Sequence, residues 1–255
     1  MIGIHKEQIN NIPALVIVDN DAVYKALPMI TYFHGFTSAK EHNLPMAYLL
    51  AENGFRVVLP DSAHHGERSE GKTVAEMQLL FWDIVKQNVE DLQFIHDKYR
   101  SEKLLADGRF GVAGTSMGGI TTAAVLAQYD WVRSAAILMG SPKLERYARE
   151  LVEEISKQKT LPFTEKEIEY VFAQLEPYDL SRHIGQLDER PLLFWHGKKD
   201  DVVPYDHSYD FYLEAKKVYE NKENIKFISE ENQSHKVSRY AILNTIEWFS
   251  RHLMP

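Results

Sequence analysis

The sequence predicts an α/β fold with a mostly parallel sheet of roughly eight strands and helices on both faces. Short β-rich runs alternate with longer segments in which apolar residues recur at spacings of three and four. Runs such as residues 191–197 are almost continuously apolar, as expected for strands that helices cover on both sides. The 255 residues are 44% hydrophobic and 26% charged, which is typical of a globular protein. We therefore expect residues 1–255 to form a single domain.

The strands are predicted in chain order at residues 4–9, 13–19, 27–34, 55–60, 109–114, 134–140, 191–197 and 225–230. Helices are predicted between and after them, at residues 44–52, 74–99, 117–129, 205–219 and 237–253. No helix separates the first two strands, so we expect that pair to be antiparallel.

The stretch of approximately residues 142–186 departs from this alternation. It holds two charged amphipathic segments, residues 143–158 and 164–175, where one crossover helix would connect the strands. We predict a small helical cap insertion over the carboxyl edge of the sheet, where open α/β folds bind ligands.

Composition excludes several functional classes. The 37 acidic and 29 basic residues, a net charge of −8, are spread along the chain, so we expect neither a nucleic-acid nor a membrane partner. The absence of cysteine excludes disulfides, thiolate metal sites and cysteine nucleophiles. The first residues become charged before any apolar run, and no stretch approaches the roughly 20 apolar residues of a membrane helix. A cytoplasmic location is expected, while nothing indicates an oligomeric state.

The strongest chemical signal is the segment Gly-Thr-Ser-Met-Gly-Gly centred on Ser116, between a predicted strand and a predicted helix. A serine on such a sharp turn needs small residues two positions before and after it, and Gly114 and Gly118 meet that need. The helix start directs free N–H groups, that of Met117 among them, at an oxygen that becomes negative during acyl transfer. The pattern predicts that Ser116 is a nucleophile. The alternative is a glycine-rich connection with a capping serine.

A serine nucleophile requires a histidine base, and His235 is the predicted one. It lies in the polar loop between the last strand and the last helix, from which an imidazole reaches the sheet edge. Activity should rise as this imidazole loses its proton. His207 and His252 fall on predicted helices and are expected to be solvated, while His34 and His196 end strands and are expected to make structural hydrogen bonds.

The acid that orients the base is predicted in the turn after the seventh strand, which carries two adjacent aspartates. Asp200 is preferred because it comes first after the turn. Asp201 precedes two apolar valines and is expected to cap the next helix or to face solvent. On position alone Asp201 stays an alternative.

Together these segments resemble the α/β-hydrolase superfamily over nearly the whole chain. The resemblance rests on His34-Gly35-Phe36, the Ser116 segment, the run from His196 to Pro204, and His235. With the stretch from residues 59 to 68, it is nearest to small bacterial carboxylesterases of the prolyl-oligopeptidase-like branch. The resemblance implies that the first aspartate of the turn, Asp200, is the acid and that the Phe36 N–H is a second oxyanion donor.

The predicted activity is therefore that of a serine carboxylesterase acting on short-chain or small-molecule acyl esters through an acyl-enzyme. No cofactor and no metal are expected, and a small-molecule ester is the expected partner. Thioesterase or peptidase activity stays open. Five aromatic residues of the cap either line an apolar acyl pocket or pack within the cap: Tyr147, Phe163, Tyr170, Phe172 and Tyr178.

A rival class is a nucleotide-binding protein. The segment from Gly66 to Thr73 matches the phosphate-binding pattern G-x-x-x-x-G-K-T between a strand and a helix. Glu67 and Glu70 would place negative charge beside the phosphates, which argues against it. Asp61, His64 and His65 suggest a metal site, but we expect them to form a structural loop, since their spacing matches no zinc pattern.

Overall fold

The computed structural model describes residues 1–158 and 161–255. Within them, eight strands form a sheet in the order β1-β2-β4-β3-β5-β6-β7-β8. The strands are β1 (Ile2–Ile9), β2 (Ile12–Asp19), β3 (Leu27–Phe33), β4 (Arg56–Pro60), β5 (Leu105–Thr115), β6 (Ser134–Leu138), β7 (Leu192–Gly197) and β8 (Ile225–Glu230).

The six strands β4-β3-β5-β6-β7-β8, in their order across the sheet, are parallel. Strand β2 pairs antiparallel with both β1 and β4. The predicted fold class and the antiparallel opening pair are confirmed. Because the parallel strands share one direction, the loops that follow β3, β5, β7 and β8 all leave the same edge. Residues far apart in sequence therefore meet there.

Eight α-helices connect or flank the strands in the described ranges. They are α1 (Leu44–Glu52), α2 (Val74–Leu79), α3 (Phe81–Ser101), α4 (Met117–Gln128), α5 (Leu144–Gln158), α6 (Glu165–Leu175), α7 (Tyr205–Val218) and α8 (Arg239–Leu253). In the part of the chain that the structure describes, no helix is long and apolar enough to cross a membrane.

Two hydrophobic cores lie on opposite faces of the sheet. Helices α3, α4 and α7 cover one face, and α1 and α8 cover the other. Neighbouring residues of β3 enter different cores, Phe33 the first and Tyr32 the second, as the alternation along a strand requires. Both are almost completely buried, so both faces of this central strand are covered.

The prediction of one continuous helix over residues 74–99 was wrong. The helix is interrupted at Leu80, whose φ of −97° and ψ of 4° leave the helical region, so α2 and α3 are separate. Beyond the break, Phe81 packs edge-on against Trp82 with ring centroids 5.0 Å apart, and both pack on the core. The apolar spacing continues across the interruption, which is why the sequence pattern did not reveal it.

Helices α5 and α6 form the insertion between β6 and β7. Phe172 and Leu175 of α6 pack on Ala148 of α5 in a small core of their own. The Tyr147 hydroxyl donates a hydrogen bond to the carbonyl of Val202, in the loop that follows β7. This contact places α5 beside the carboxyl edge of the sheet. That residues 142–186 act as a cap within one domain stays a prediction.

Candidate active site

Ser116 occupies a strained turn between β5 and α4. Its φ of 56° and ψ of −116° lie in a region that non-glycine residues rarely adopt. The Ser116 N–H donates to the Leu138 carbonyl at 2.9 Å, which ties the turn to the end of β6. The turn therefore holds the serine side chain at the carboxyl edge of the sheet.

Close backbone contacts explain the glycines on either side of Ser116. A β-carbon on Gly118 would lie 2.1 Å from the Phe33 carbonyl oxygen, and one on Gly114 would lie 2.3 Å from the backbone of Gly118. Neither position has room for any side chain. The sharp turn therefore requires glycine at both places.

His235 bridges the serine and the aspartate. Its Nε2 lies 2.8 Å from Oγ of Ser116, and its Nδ1 lies 2.9 Å and 2.7 Å from the two carboxylate oxygens of Asp200. An ionised carboxylate accepts hydrogen bonds but cannot donate one, so Nδ1 of His235 carries the proton. Nε2 is therefore free to accept a hydrogen bond from the serine hydroxyl. The structure thus brings together the three side chains that the sequence singled out.

The side chain of Asp200 is fully buried and receives several hydrogen bonds. The N–H groups of Val202 and Val203 donate to Oδ1 at 2.9 Å and 3.0 Å, and Nε2 of His196 lies 3.1 Å from Oδ2. Burial raises the pKa of Asp200, but the hydrogen bonds from His196, His235 and the backbone outweigh it and hold the pKa well below its usual range. The carboxylate is therefore ionised. The neighbouring Asp201 is exposed.

The loops carrying Asp200 and His235 are joined through their backbones. The Lys199 N–H donates to the Gln233 carbonyl at 3.0 Å, and the Lys198 N–H donates to the Glu230 carbonyl at 2.9 Å. A β-carbon on Gly197 would lie 2.3 Å from the Gln233 oxygen. The sequence analysis did not predict this role of Gly197. A glycine at the end of a strand, directly after His196, is the signal that could have indicated it.

The two predicted oxyanion donors flank Ser116. Met117 is the first residue of α4, so its N–H has no partner within the helix. Phe36 lies in a turn closed by the Ser38 N–H and the Gly35 carbonyl at 3.1 Å. A methyl group on Gly35 would lie 3.6 Å from Cβ of Ser116, so this turn passes beside the serine. Among the described residues, neither N–H is taken by another hydrogen bond.

The segment from Gly66 to Thr73 is engaged in local structure. Gly66–Arg68 is a single 3-10 turn, and Lys72 pairs with Glu70 at 3.2 Å. The Thr73 hydroxyl accepts the Glu76 N–H in a capping box that begins the short helix α2. The lysine and hydroxyl that would contact a nucleotide thus have other partners, and the geometry does not favour nucleotide binding.

The loop that follows β4 is held by a buried ion pair. Nζ of Lys40 lies 2.6 Å from Oδ2 of Asp61, and both side chains are almost fully buried. His65 contacts backbone groups, whereas His64 pairs with Glu70. Within residues 1–158 and 161–255, no three histidine or carboxylate side chains are close enough to hold a metal ion.

The expectation that His207 is solvated was wrong. His207 is completely buried, with its Nδ1 3.0 Å from Oγ of Ser141 and its Nε2 2.9 Å from a carboxylate oxygen of Glu150. Helix α5 covers it, and the ring of Tyr147 packs edge-on against it. His252 is half-buried against the ring of Trp248.

The five aromatic residues of the predicted cap fall into two groups. Phe163, Tyr170 and Phe172 line an apolar cavity of about 270 Å³ together with Phe81 and Trp82 of α3. The other two, Tyr147 and Tyr178, pack on the large core outside this cavity.

Comparison with known proteins places the chain in a family. The family model described as the prolyl oligopeptidase family matches residues 43–254, most of the chain. The chain belongs to the prolyl oligopeptidase family. The predicted resemblance is thereby confirmed, and the chain is an enzyme of the serine hydrolase class.

Two bacterial proteins match this chain along their full lengths. YitV of Bacillus subtilis (strain 168), named a putative esterase, is 46% identical over 255 residues, which cover 99% of this chain and 100% of YitV. The esterase YjfP of Escherichia coli (strain K12) is 30% identical over 256 residues, covering 99% of this chain and 100% of YjfP.

Solved structures show the same fold at low sequence identity. TT1662 from Thermus thermophilus superposes with a TM-score of 0.76 at 17% identity, covering 100% of this chain and 99% of its own. The Pyrococcus furiosus esterase Pf2001 gives a TM-score of 0.68 at 16% identity, covering 99% and 93%. The chain therefore has the α/β-hydrolase fold.

Proposed function

We propose that the chain is a carboxylesterase that hydrolyses acyl esters of small molecules, with Ser116 as nucleophile, His235 as base and Asp200 as orienting acid. The observation that carries the proposal is the chain of hydrogen bonds from Ser116 through His235 to buried Asp200. The esterase names of YitV and YjfP, which this chain matches from end to end, favour an ester over a peptide substrate.

The reaction proceeds in two acyl transfers. Nε2 of His235 takes the hydroxyl proton as Oγ of Ser116 forms a bond to the ester carbonyl carbon, giving a tetrahedral oxyanion. The imidazolium then gives this proton to the alkoxy oxygen of the ester as the bond from that oxygen to the carbonyl carbon breaks, and the alcohol leaves. Water next attacks the acyl carbon while His235 takes one of its protons. The bond between that carbon and Oγ of Ser116 then breaks, the imidazolium gives the proton to Oγ, and the carboxylic acid leaves.

The site stabilises the charges that develop in these steps. The Phe36 and Met117 N–H groups donate to the oxyanion, each worth about 3 kcal/mol in the transition state. Ionised Asp200 holds the Nδ1 proton and stabilises the imidazolium that forms on His235. No metal or cofactor is required by this chemistry.

The apolar pocket under the cap is the proposed site for the acyl group. Its wall residue Phe81 packs edge-on against the ring of Phe36, with centroids 5.7 Å apart, and Phe36 carries one of the two proposed oxyanion donors. Apolar walls of this kind bind the hydrocarbon part of a substrate. We expect the acyl group to be short or compact.

Hydrolysis of p-nitrophenyl acetate, butyrate and octanoate tests the proposal. Ser116→Ala should lower kcat by about 10⁵-fold or more because the nucleophile is lost, with the fold unchanged by circular dichroism. Ser101→Ala, a serine at the distant end of α3, is the matched control and should keep wild-type turnover. Retention of near-normal turnover by Ser116→Ala would refute the nucleophile assignment.

A further inference from the structure

The turn that follows β3 has an unfavourable backbone conformation. Phe36 and Thr37 are its two central residues, and Thr37 has a φ of 62°. Glycine is the residue normally found at such a position, and a β-branched residue there costs about 1–3 kcal/mol. Neighbouring groups must therefore hold the turn in place.

His65 makes such a contact from the loop that follows β4. Its Nε2 accepts a hydrogen bond from the Thr37 N–H at 3.0 Å, and its Nδ1 donates to the Ala63 carbonyl at 2.8 Å. The ring also packs edge-on against Phe36, with centroids 5.5 Å apart. An imidazole that accepts at one nitrogen and donates at the other is neutral, so these partners fix its tautomer.

The surroundings of His65 keep the ring neutral and fixed. His65 is only 3% exposed. Burial lowers the pKa of His65, and the nearby His64 acts in the same direction, against the backbone contact with Ala63 and the charge of Asp61. Asp61 also accepts the Glu67 N–H at 2.9 Å and the Lys40 ammonium, which anchors the loop that carries His65.

His34 makes a parallel link between the same two loops. Its Nδ1 donates to the Gly35 carbonyl at 2.8 Å, and its Nε2 accepts the Ser62 N–H at 3.1 Å. Its ring lies 5.2 Å from that of His65. His34 thus holds the start of the turn at Gly35, and His65 holds its far end at Thr37.

From this geometry we propose that His65 is the positioning residue for the second oxyanion donor. Its bond to the Thr37 N–H holds the peptide that follows Phe36, and its contact with the Phe36 ring holds that side chain. Together they orient Phe36, whose own N–H is the proposed donor to the oxyanion. The inference rests on the proposed function, because it concerns the same transition state. A donor stabilises developing charge only if it is already oriented, so a loosened turn should weaken transition-state binding more than substrate binding.

The test compares catalysis with ground-state binding in His65→Leu. We expect kcat for p-nitrophenyl butyrate to fall about 10- to 100-fold while KM changes less than about threefold. The inhibition constant of a butylboronic acid, whose adduct with Ser116 places a negative oxygen at the oxyanion site, should rise by the factor by which kcat/KM falls. Loss of packing alone would not raise the inhibition constant and lower kcat/KM by the same factor.

Two further variants keep the test decisive if His65→Leu folds poorly. Glutamine extends its amide oxygen about as far as Nε2 and can accept from Thr37, whereas asparagine is too short. His65→Gln should therefore recover most of the lost kcat, and His65→Asn should remain at least about tenfold below it. His96→Leu is the matched control, because His96 is buried to a similar degree but stacks on Trp131 and does not contact the turn after β3, so its kcat should be unchanged.

The outcomes separate this inference from the proposed function. Equal kcat in the glutamine and asparagine variants, or a rise in KM with kcat unchanged, would overturn the role of His65 while leaving the esterase proposal intact. A wild-type protein that hydrolyses none of the esters, and whose Ser116 resists labelling by a fluorophosphonate, would overturn the proposed function itself.

Discussion

At the scale of single residues, the environment of Asp200 is the most informative feature. The carboxylate is fully buried, yet the N–H groups of Val202 and Val203 and the rings of His196 and His235 all contact it. Such a group stays ionised throughout the neutral pH range, so it can hold the Nδ1 proton of His235 in every turnover. Its function in the proposed mechanism is to fix one imidazole tautomer.

Replacing this carboxylate by an amide tests that function. Asp200→Asn should lower kcat by about 10⁴-fold, because the amide can stabilise the wrong tautomer and cannot balance the imidazolium. Asp201→Asn changes the adjacent, exposed aspartate and should stay within about threefold of wild type. Steady-state kinetics with one p-nitrophenyl ester measures both variants. A larger loss in the Asp201 variant would transfer the role of orienting acid to that residue.

The sequence allowed the candidate site residues to be named, but not their surroundings. Ser116, Asp200 and His235 each lie in a loop between a predicted strand and a predicted helix. Position in the pattern was enough to select Ser116 and His235, but it left Asp201 as an alternative to Asp200. Their catalytic roles stay predictions. The contact between His65 and Thr37 joins residues 28 positions apart, across two loops, and no local pattern signals it. His207 was misjudged for the same reason, since α5 covers it.

At the scale of secondary-structure elements, the crossing of β3, β5 and α4 explains the turn at Ser116. Gly118 lies at the start of α4, directly against the Phe33 carbonyl at the end of β3. Because both neighbours are backbone, no side-chain movement can make room there. The strain in the Ser116 backbone is therefore maintained by the packing of one helix on two strands.

Substitution at this crossing should affect folding as well as activity. Gly118→Ala would place a methyl group 2.1 Å from the Phe33 oxygen, and we expect a loss of at least about 3 kcal/mol in the free energy of unfolding. Gly185→Ala, where no atom lies within 4 Å, should change that free energy by less than about 0.5 kcal/mol. Urea denaturation measures the free energy of unfolding of both variants. Equal values for the two would contradict the close contact at Gly118.

The observed ends of the helices and strands show where the sequence pattern was enough to predict them and where it was not. Helix α1 occupies the predicted residues 44–52 and β8 the predicted residues 225–230. Strand β5 is longer than predicted, starting at Leu105, because Asp107 and Gly108, residue types common in turns, concealed its first part. The interruption at Leu80 was also concealed, since apolar residues continue on both sides of it.

At the scale of the whole molecule, the confirmed fold class follows from alternating strands and helices. Topology then brings the loops after β3, β5, β7 and β8 to one edge, which assembles the candidate site from four parts of the chain. The same arrangement buries His34, His65 and His207, and burial favours their neutral forms. Their burial links the stability of the molecule to pH.

Stability should fall as the pH is lowered from about 6.5 towards 4. Burial lowers the pKa of His34 from 6.5 to about 4, so between these values the unfolded chain binds more protons than the native state. The contribution of neutral His34 is complete above pH 6.5, and at pH 5 about 2 kcal/mol of it is lost. The lowered pKa values of His65 and His207 act in the same direction.

Urea denaturation at pH 7.5 and pH 5 measures this dependence. The free energy of unfolding should decrease more between the two conditions in wild type than in His34→Gln, by about 2 kcal/mol. Glutamine does not titrate, so its variant should be less stable at pH 7.5 but less sensitive to acid. The same decrease in both proteins would show that His34 does not couple stability to pH.

Labelling with a fluorophosphonate, followed by peptide mapping by mass spectrometry, tests the central claim most directly. The reagent reacts with a serine that a neighbouring base has activated, and the structure places Oγ of Ser116 2.8 Å from Nε2 of His235. We predict a single adduct on Ser116 and loss of ester hydrolysis in proportion to labelling. Continued hydrolysis with Ser116 unmodified, or an adduct on another serine, would contradict the account.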